Sequence, residues 1–145
     1  MNTSSHLKGA TALVTGANGF IGSHLVDQLL ASGCKVHGLV RESSNLKWID
    51  ASKVYLHRVD LSRPDFKVPA LEELDYVFHC AGQTKAKSRA GYCRINATAC
   101  SNLYEQCLKR GSRVKSIVHL SSLTATGPSP QGSLVDEITP CNPIT

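Results

Sequence analysis

Short apolar runs alternate along this chain with longer segments whose apolar positions recur every three or four residues. Thr11–Thr15, Lys35–Val40, Val54–Val59, Tyr76–Ala81 and Ser116–Ser121 read as five strands. Phe20–Ser32 places Ile21, Leu25, Val26, Leu29 and Leu30 on one stripe of a helix that stops at Gly33. Arg89–Arg110 is the longest predicted helix, with Ile95, Ala99, Leu103 and Cys107 on one side and Gly111 at its end. Ser43–Ala51, carrying Trp48 and Ile49, predicts a short helix. Ser62–Leu74, interrupted by Pro64 and Pro69, predicts a loop with one helical turn. The tail from Gly127 to Thr145 contains Pro128, Pro130, Gly132, Pro140 and Pro143 and reads as irregular. Strands alternating with helices predict an α/β domain with a doubly wound parallel sheet of about five strands.

The most informative segment is Thr15-Gly16-Ala17-Asn18-Gly19-Phe20-Ile21-Gly22, which leaves the first strand and opens the first helix. Glycines there let the backbone turn sharply and come close to a pyrophosphate. The helix N-terminus adds unpaired N–H groups and a partial positive charge. A tight structural turn is the plain alternative. The glycine spacing is G-x-x-G-x-x-G.

TGANGFIG resembles the signature of the extended short-chain dehydrogenase/reductases, the NAD(P)-dependent epimerase/dehydratase group. The resemblance continues in order along nearly the whole chain. Asp60-Leu61 resembles the pair that touches adenine after the third strand, and His79-Cys80-Ala81-Gly82 resembles the family's H-x-A-[AG]. Asn96 resembles the Asn of V-N-x-x-G-T-x-N, although Ala99-Cys100 stand where Gly-Thr is common. Ser121-Ser122 resembles the serine-rich end of the fifth strand. The resemblance implies a Rossmann-like fold. It implies cofactor contacts at Gly16, Asn18, Gly19, Phe20, Ile21, Gly22, Asp60, Leu61, Cys80, Ala81, Gly82, Asn96 and Ser121. Ser122 is the implied catalytic serine that bonds the substrate oxygen. It also implies a small-molecule substrate for the full-length parent, and pairing of two copies through helices of the sheet.

The end of the second strand distinguishes NAD from NADP. An acidic residue there binds both ribose hydroxyls and selects NAD. This chain has Val40-Arg41-Glu42. An Arg fork takes a 2′-phosphate through charge-assisted bonds, and Ser43, Ser44 and Asn45 add neutral donors. NADP is therefore the expected cofactor. NAD is the alternative, with Glu42 on the ribose and Arg41 stacked on adenine, and a solvated Arg41 is the plain reading.

Family chemistry also needs a tyrosine with a lysine four residues on, because an isolated tyrosine has a pKa near 10. Tyr55, Tyr76, Tyr92 and Tyr104 are followed at that interval by Val59, Cys80, Asn96 and Leu108. The Tyr-x-x-x-Lys pair is thus not in these 145 residues. The expectation is an incomplete domain at 1–145, truncated before the last strands and without its substrate domain. It would bind without turnover and be marginally soluble because its fifth strand is a bare edge. A non-catalytic NAD(P)-binding sensor or interaction module is the alternative function.

Composition adds exclusions. Charged residues make up 19% and apolar residues 41%, an ordinary globular balance. The net charge is +5, from 16 Lys and Arg against 11 Asp and Glu, but these residues are scattered, so no nucleic-acid partner is expected. No apolar run is long enough for a membrane span. Met1–Gly9 is polar, which predicts a cytoplasmic protein. Cys34, Cys80, Cys93, Cys100, Cys107 and Cys141 form no C-x-x-C pair, so they read as small buried hydrophobes and no metal site is suggested. His6, His24, His37, His57 and His119 show no recurring ligand spacing, and His79 reads as a packing residue beside the cofactor crevice.

Overall fold

The computed structural model describes residues 6–63, 65–111, 113–129 and 134–143. Five strands, β1 (Thr11–Thr15), β2 (Lys35–Val40), β3 (Tyr55–Arg58), β4 (Tyr76–His79) and β5 (Ser116–His119), form one sheet. Its order is β3-β2-β1-β4-β5, and every pairing is parallel. Helix α1 (Phe20–Ala31) links β1 to β2. Helices α2 (Arg89–Cys93) and α3 (Ala99–Arg110) lie between β4 and β5. This is the Rossmann-like doubly wound arrangement expected from the alternating pattern.

All five residues of β1 are buried, because the central strand is covered on both faces. Alternate residues feed two cores. Ala12, Val14, Val36 and Val40 pack with Val26 and Leu29 of α1. Leu13, Leu39 and Val77 pack with Ala99, Leu103 and Cys107 of α3. β5 lies at the sheet edge, and Val118 within it and Leu120 just after it are exposed. Among the described residues, no helix is long and apolar enough to cross a membrane.

Several expectations are corrected. Ser43–Ala51 forms turns rather than a helix. Its polar side chains satisfy nearby backbone donors: Ser44 Oγ takes the Arg41 N–H, Asn45 Oδ1 the Lys47 N–H, and Asp50 Oδ1 the Ser52 N–H. These local bonds compete with a helical ladder. Arg89–Arg110 is helical throughout but not uniformly α: Arg94–Thr98 is a π-helical turn between α2 and α3. β3, β4 and β5 each end two residues or fewer from their predicted bounds. Ile21 is exposed, and in the first turn of α1 Gly22 and Ser23 are buried instead. Cys93 and Cys141 are exposed, whereas Cys34, Cys100 and Cys107 are buried; all six thiols are free. The Ser62–Leu74 loop carries the expected helical turn at Leu71–Glu73. Pro64, Pro130, Gly132 and Thr145, named above as loop residues, lie outside the described residues.

The histidines are not isolated. On β2 and β3, His37 Nδ1 and His57 Nε2 are 2.9 Å apart with nearly parallel rings. His37 Nε2 is buried without a partner among the described residues. Burial lowers both pKa values, and at His37 the nearby His57 and Lys35 lower it further. The unfolded chain therefore takes up protons first as pH falls below about 6.5. The neutral pair contributes its full stability above that pH and loses it progressively below. Thermal unfolding should shift downward between pH 7 and pH 5, and His37→Leu should narrow that shift. An equal shift in the substituted protein would contradict this origin.

Candidate functional site

The strand order reverses between β1 and β4, where β2 lies on one side of β1 and β4 on the other. Open parallel sheets bind ligands at the carboxyl ends of the strands at such a switch point. The glycine-rich turn occupies this place. Gly16 has φ +64, in the left-handed region, and a Cβ there would sit 2.9 Å from the Ala81 backbone. Gly22, in the first turn of α1, packs so closely on the turn that a Cβ would collide with the Gly16 carbonyl oxygen. The Gly19 N–H donates to that same oxygen at 2.9 Å. Gly19 caps α1 without a side-chain bond, and the first turn of the helix has no acidic residue. The exposed end of α1 therefore has unpaired N–H groups and no carboxylate competing for them.

The loop after β4 is tied to the turn. Thr15 Oγ1 accepts from the Ala81 N–H at 3.1 Å and lies 2.7 Å from His79 Nδ1. Asn96 holds the next residue from both sides: its Oδ1 accepts from the Gln83 N–H, and its Nδ2 donates to the Gln83 carbonyl. Asn96 sits within the π-helical turn, a distortion that is frequent at functional sites.

Beside the turn lies a cleft of about 610 Å³, lined by Arg41, Glu42 and Ser43 after β2, Asp60 and Ser62 after β3, Gln83 after β4, and Gly91, Arg94 and Ile95. Asn18 Nδ2 donates to the Asn45 carbonyl, which joins the turn to the β2 loop. Arg58 donates to the carbonyls of Arg41 and Glu42 and so fixes the backbone that carries the Arg41 side chain. The Ser62 hydroxyl and N–H hold the Asp60 carboxyl below its ordinary pKa, with Arg63 and Arg41 adding positive charge.

The expected site residues fall into four groups. Gly16, Asn18, Gly19, Gly22 and Ala81 meet around the turn, and Phe20 and Ile21 project into solvent at its rim. Arg41 and Asp60 line the cleft, whereas the Leu61 side chain is buried in the core. Cys80 packs partly into the α1 core, and Gly82 is exposed. Ser121 and Ser122 are exposed at the tip of β5, outside the cleft, with Ser122 Oγ accepting from the Thr124 N–H. Sequence reasoning missed Gln83, Arg94 and Arg58. The spacing of Gly91, Arg94 and Ile95 puts them on one helical face, the signal that was available for Arg94.

A glycine turn against the carboxyl ends of a parallel sheet, with an open cleft beside it, defines a Rossmann-like dinucleotide-binding domain. The sequence profile of the NAD dependent epimerase/dehydratase family matches residues 12–145, and the chain belongs to that family. Sterol demethylase protein B of Methylococcus capsulatus is 33% identical over 125 residues, covering 85% of this chain and 38% of that protein. UDP-glucose 4-epimerase of Thermotoga maritima, solved with UDP-glucose, superposes with a TM-score of 0.78 at 26% identity, covering 92% of this chain and 45% of that one. MoeE5, solved with UDP-glucose and NAD, gives 0.75 at 28%, covering 94% and 44%. The chain thus spans less than half the length of these relatives.

The close approach of Gly22 to Gly16 makes a direct prediction. Gly22→Ala should destabilise the fold by about 1–3 kcal/mol through overpacking. Gly82→Ala, where the nearest atom to a Cβ is 3.8 Å away, should cost less than about 0.5 kcal/mol. Urea unfolding measures both, and equal midpoints would contradict the geometry.

Proposed function

We propose that this chain is the dinucleotide-binding part of an NAD(P)-dependent epimerase, dehydratase or reductase. The parent's substrate would be a nucleotide sugar or a similar compound with a carbonyl or hydroxyl group. The observation that carries this reading is the turn at Gly16–Gly22, where two glycines leave no room for a Cβ and a helix end offers free N–H groups. The family match and the UDP-sugar complexes of similar structures support the substrate class.

In this reading the amides of Phe20, Ile21 and Gly22 bind the pyrophosphate, the Gly19 N–H being held by the Gly16 carbonyl. Asp60 and the Gln83 backbone face the adenosine end, and Asn96 positions Gln83 by its paired bonds. Gly82 and Ser121 bound the nicotinamide side. A bound nicotinamide supplies the hydride acceptor. Ser122 Oγ would hold the substrate oxygen in the assembled parent. The chain by itself would bind without turnover, since none of its tyrosines has a lysine four residues on.

NADP is the preferred form. Arg41 and Arg94 line one cleft together with Ser43 and Ser62, two cations and two hydroxyl donors suited to a 2′-phosphate. Glu42 lines the same cleft, and its side chain is 87% exposed with only a 4.0 Å contact to Arg58. It is thus free to turn toward a ribose, which is the route to NAD. A non-catalytic NAD(P) sensor is the second reading, favoured by the same missing tyrosine–lysine pair.

Calorimetric titration of the chain should show tighter binding of NADPH than of NADH. Arg41→Ala should reduce the ratio of the two affinities about tenfold or more, since a charge-assisted bond contributes roughly 1.5–3 kcal/mol. An unchanged ratio would remove Arg41 from the 2′-phosphate site.

A further inference from the structure

One cluster lies outside the cofactor cleft. His79 at the end of β4, Cys100 in the first turn of α3 and His119 at the end of β5 each present one donor atom, and all three atoms lie within 4.8 Å of one another. His79 Nε2 and Cys100 Sγ are 2.9 Å apart, and both residues are buried. One nitrogen of each ring already has an oxygen neighbour: Thr15 Oγ1 is 2.7 Å from His79 Nδ1, and Tyr104 Oη is 2.5 Å from His119 Nδ1, which leaves Nε2 of each ring for an ion. Metal-ligating histidines are oriented in this way, with the second nitrogen held by an outer oxygen.

We propose that His79, Cys100 and His119 form a binding site for a borderline-soft divalent cation, zinc being the best fit. Two imidazoles and one thiolate are a zinc donor set, and three protein ligands leave a fourth tetrahedral position. Ligand bonds of about 2.0–2.3 Å place tetrahedral donors roughly 3.3–3.8 Å apart. The 2.9 Å pair must open slightly and the widest pair close by about 1 Å on that estimate. His119 is exposed among the described residues, so its ring can supply the movement. The same exposure gives the ion a path in and leaves the fourth position to water. Binding deprotonates Cys100, and the thiol proton leaves to solvent. The ion would tie β4, α3 and β5 together two residues before Ala81 and two before Ser121. The proposal is independent of the dinucleotide reading, because none of the three ligands lines the cleft.

The test is titration of the reduced, full 145-residue chain with Co²⁺, a spectroscopic substitute for zinc, followed by displacement with Zn²⁺. The expected result is one Co²⁺ per chain with a thiolate-to-cobalt charge-transfer band that zinc abolishes. Cys100→Ser should remove the band. His119→Ala, at an exposed position that leaves the core intact, should weaken binding at least tenfold. Tyr104→Phe, which removes only the outer oxygen, should weaken it about tenfold. Circular dichroism of each variant establishes that it is folded. No charge-transfer band in the folded wild-type chain would overturn the proposal. So would binding that is unchanged in folded His119→Ala, since the exposed Cys93 and Cys141 would then be the ligands.

Discussion

The contact between the Gly16 carbonyl and the first turn of α1 governs the geometry of this molecule. The chain must leave β1, reverse, and start a helix within four residues, Gly16 to Gly19. Only a left-handed Gly16 and a Cβ-free Gly22 allow that reversal to close on itself while the end of β4 presses from the other side. The closeness that excludes side chains also leaves backbone N–H groups facing outward. A recognition surface for an anion is thus a by-product of how tightly helix and strand are packed, and it needs no charged side chain of its own.

Charge enters one step away from the turn. Arg41, Arg94, Asp60 and Glu42 converge on the cleft from the ends of β2 and β3 and from the helical segment after β4. Their arrangement depends on a hydrogen-bonded scaffold: Ser62 holds Asp60 ionised, the Arg58 guanidinium fixes the peptides after β2, and Asn96 clamps Gln83. The scattered positive surplus of the sequence acquires meaning only where the sheet gathers two of its arginines at one rim. Membership of the epimerase/dehydratase family agrees with this division between a backbone cradle and a cleft defined by side chains.

The strands buried on both faces were the most legible. β1 and β2 have the bounds that the sequence predicts, and every residue in them except Lys35 is buried. β4 and β5 are shorter than predicted: the Ala81 N–H turns to Thr15 Oγ1, and beyond Leu120, whose N–H still donates to the His79 carbonyl, the chain turns toward the helical turn at Leu123–Thr126. The Ser43–Ala51 helix was misread because propensity over a short window ignores Asn45 and Asp50 side chains that bond their own backbone. Ile21 fits the apolar stripe by spacing, yet it is half exposed because α1 begins at the rim of the sheet. Neither histidine cluster was visible: His37 meets His57, and His79 meets His119, through parallel pairing that brings together residues 20 and 40 positions apart. Such contacts follow from strand order, which no local spacing encodes.

The proposed function requires an anion to rest against the amides between Gly16 and Gly22. Amide chemical shifts of the isotopically labelled chain, followed by NMR as NADPH is added, test this most directly. The largest changes are expected at Phe20, Ile21 and Gly22, with a smaller set at Arg41, Asp60 and Gln83. Saturable changes confined to the amino ends of the strands, with the turn unmoved, would contradict it.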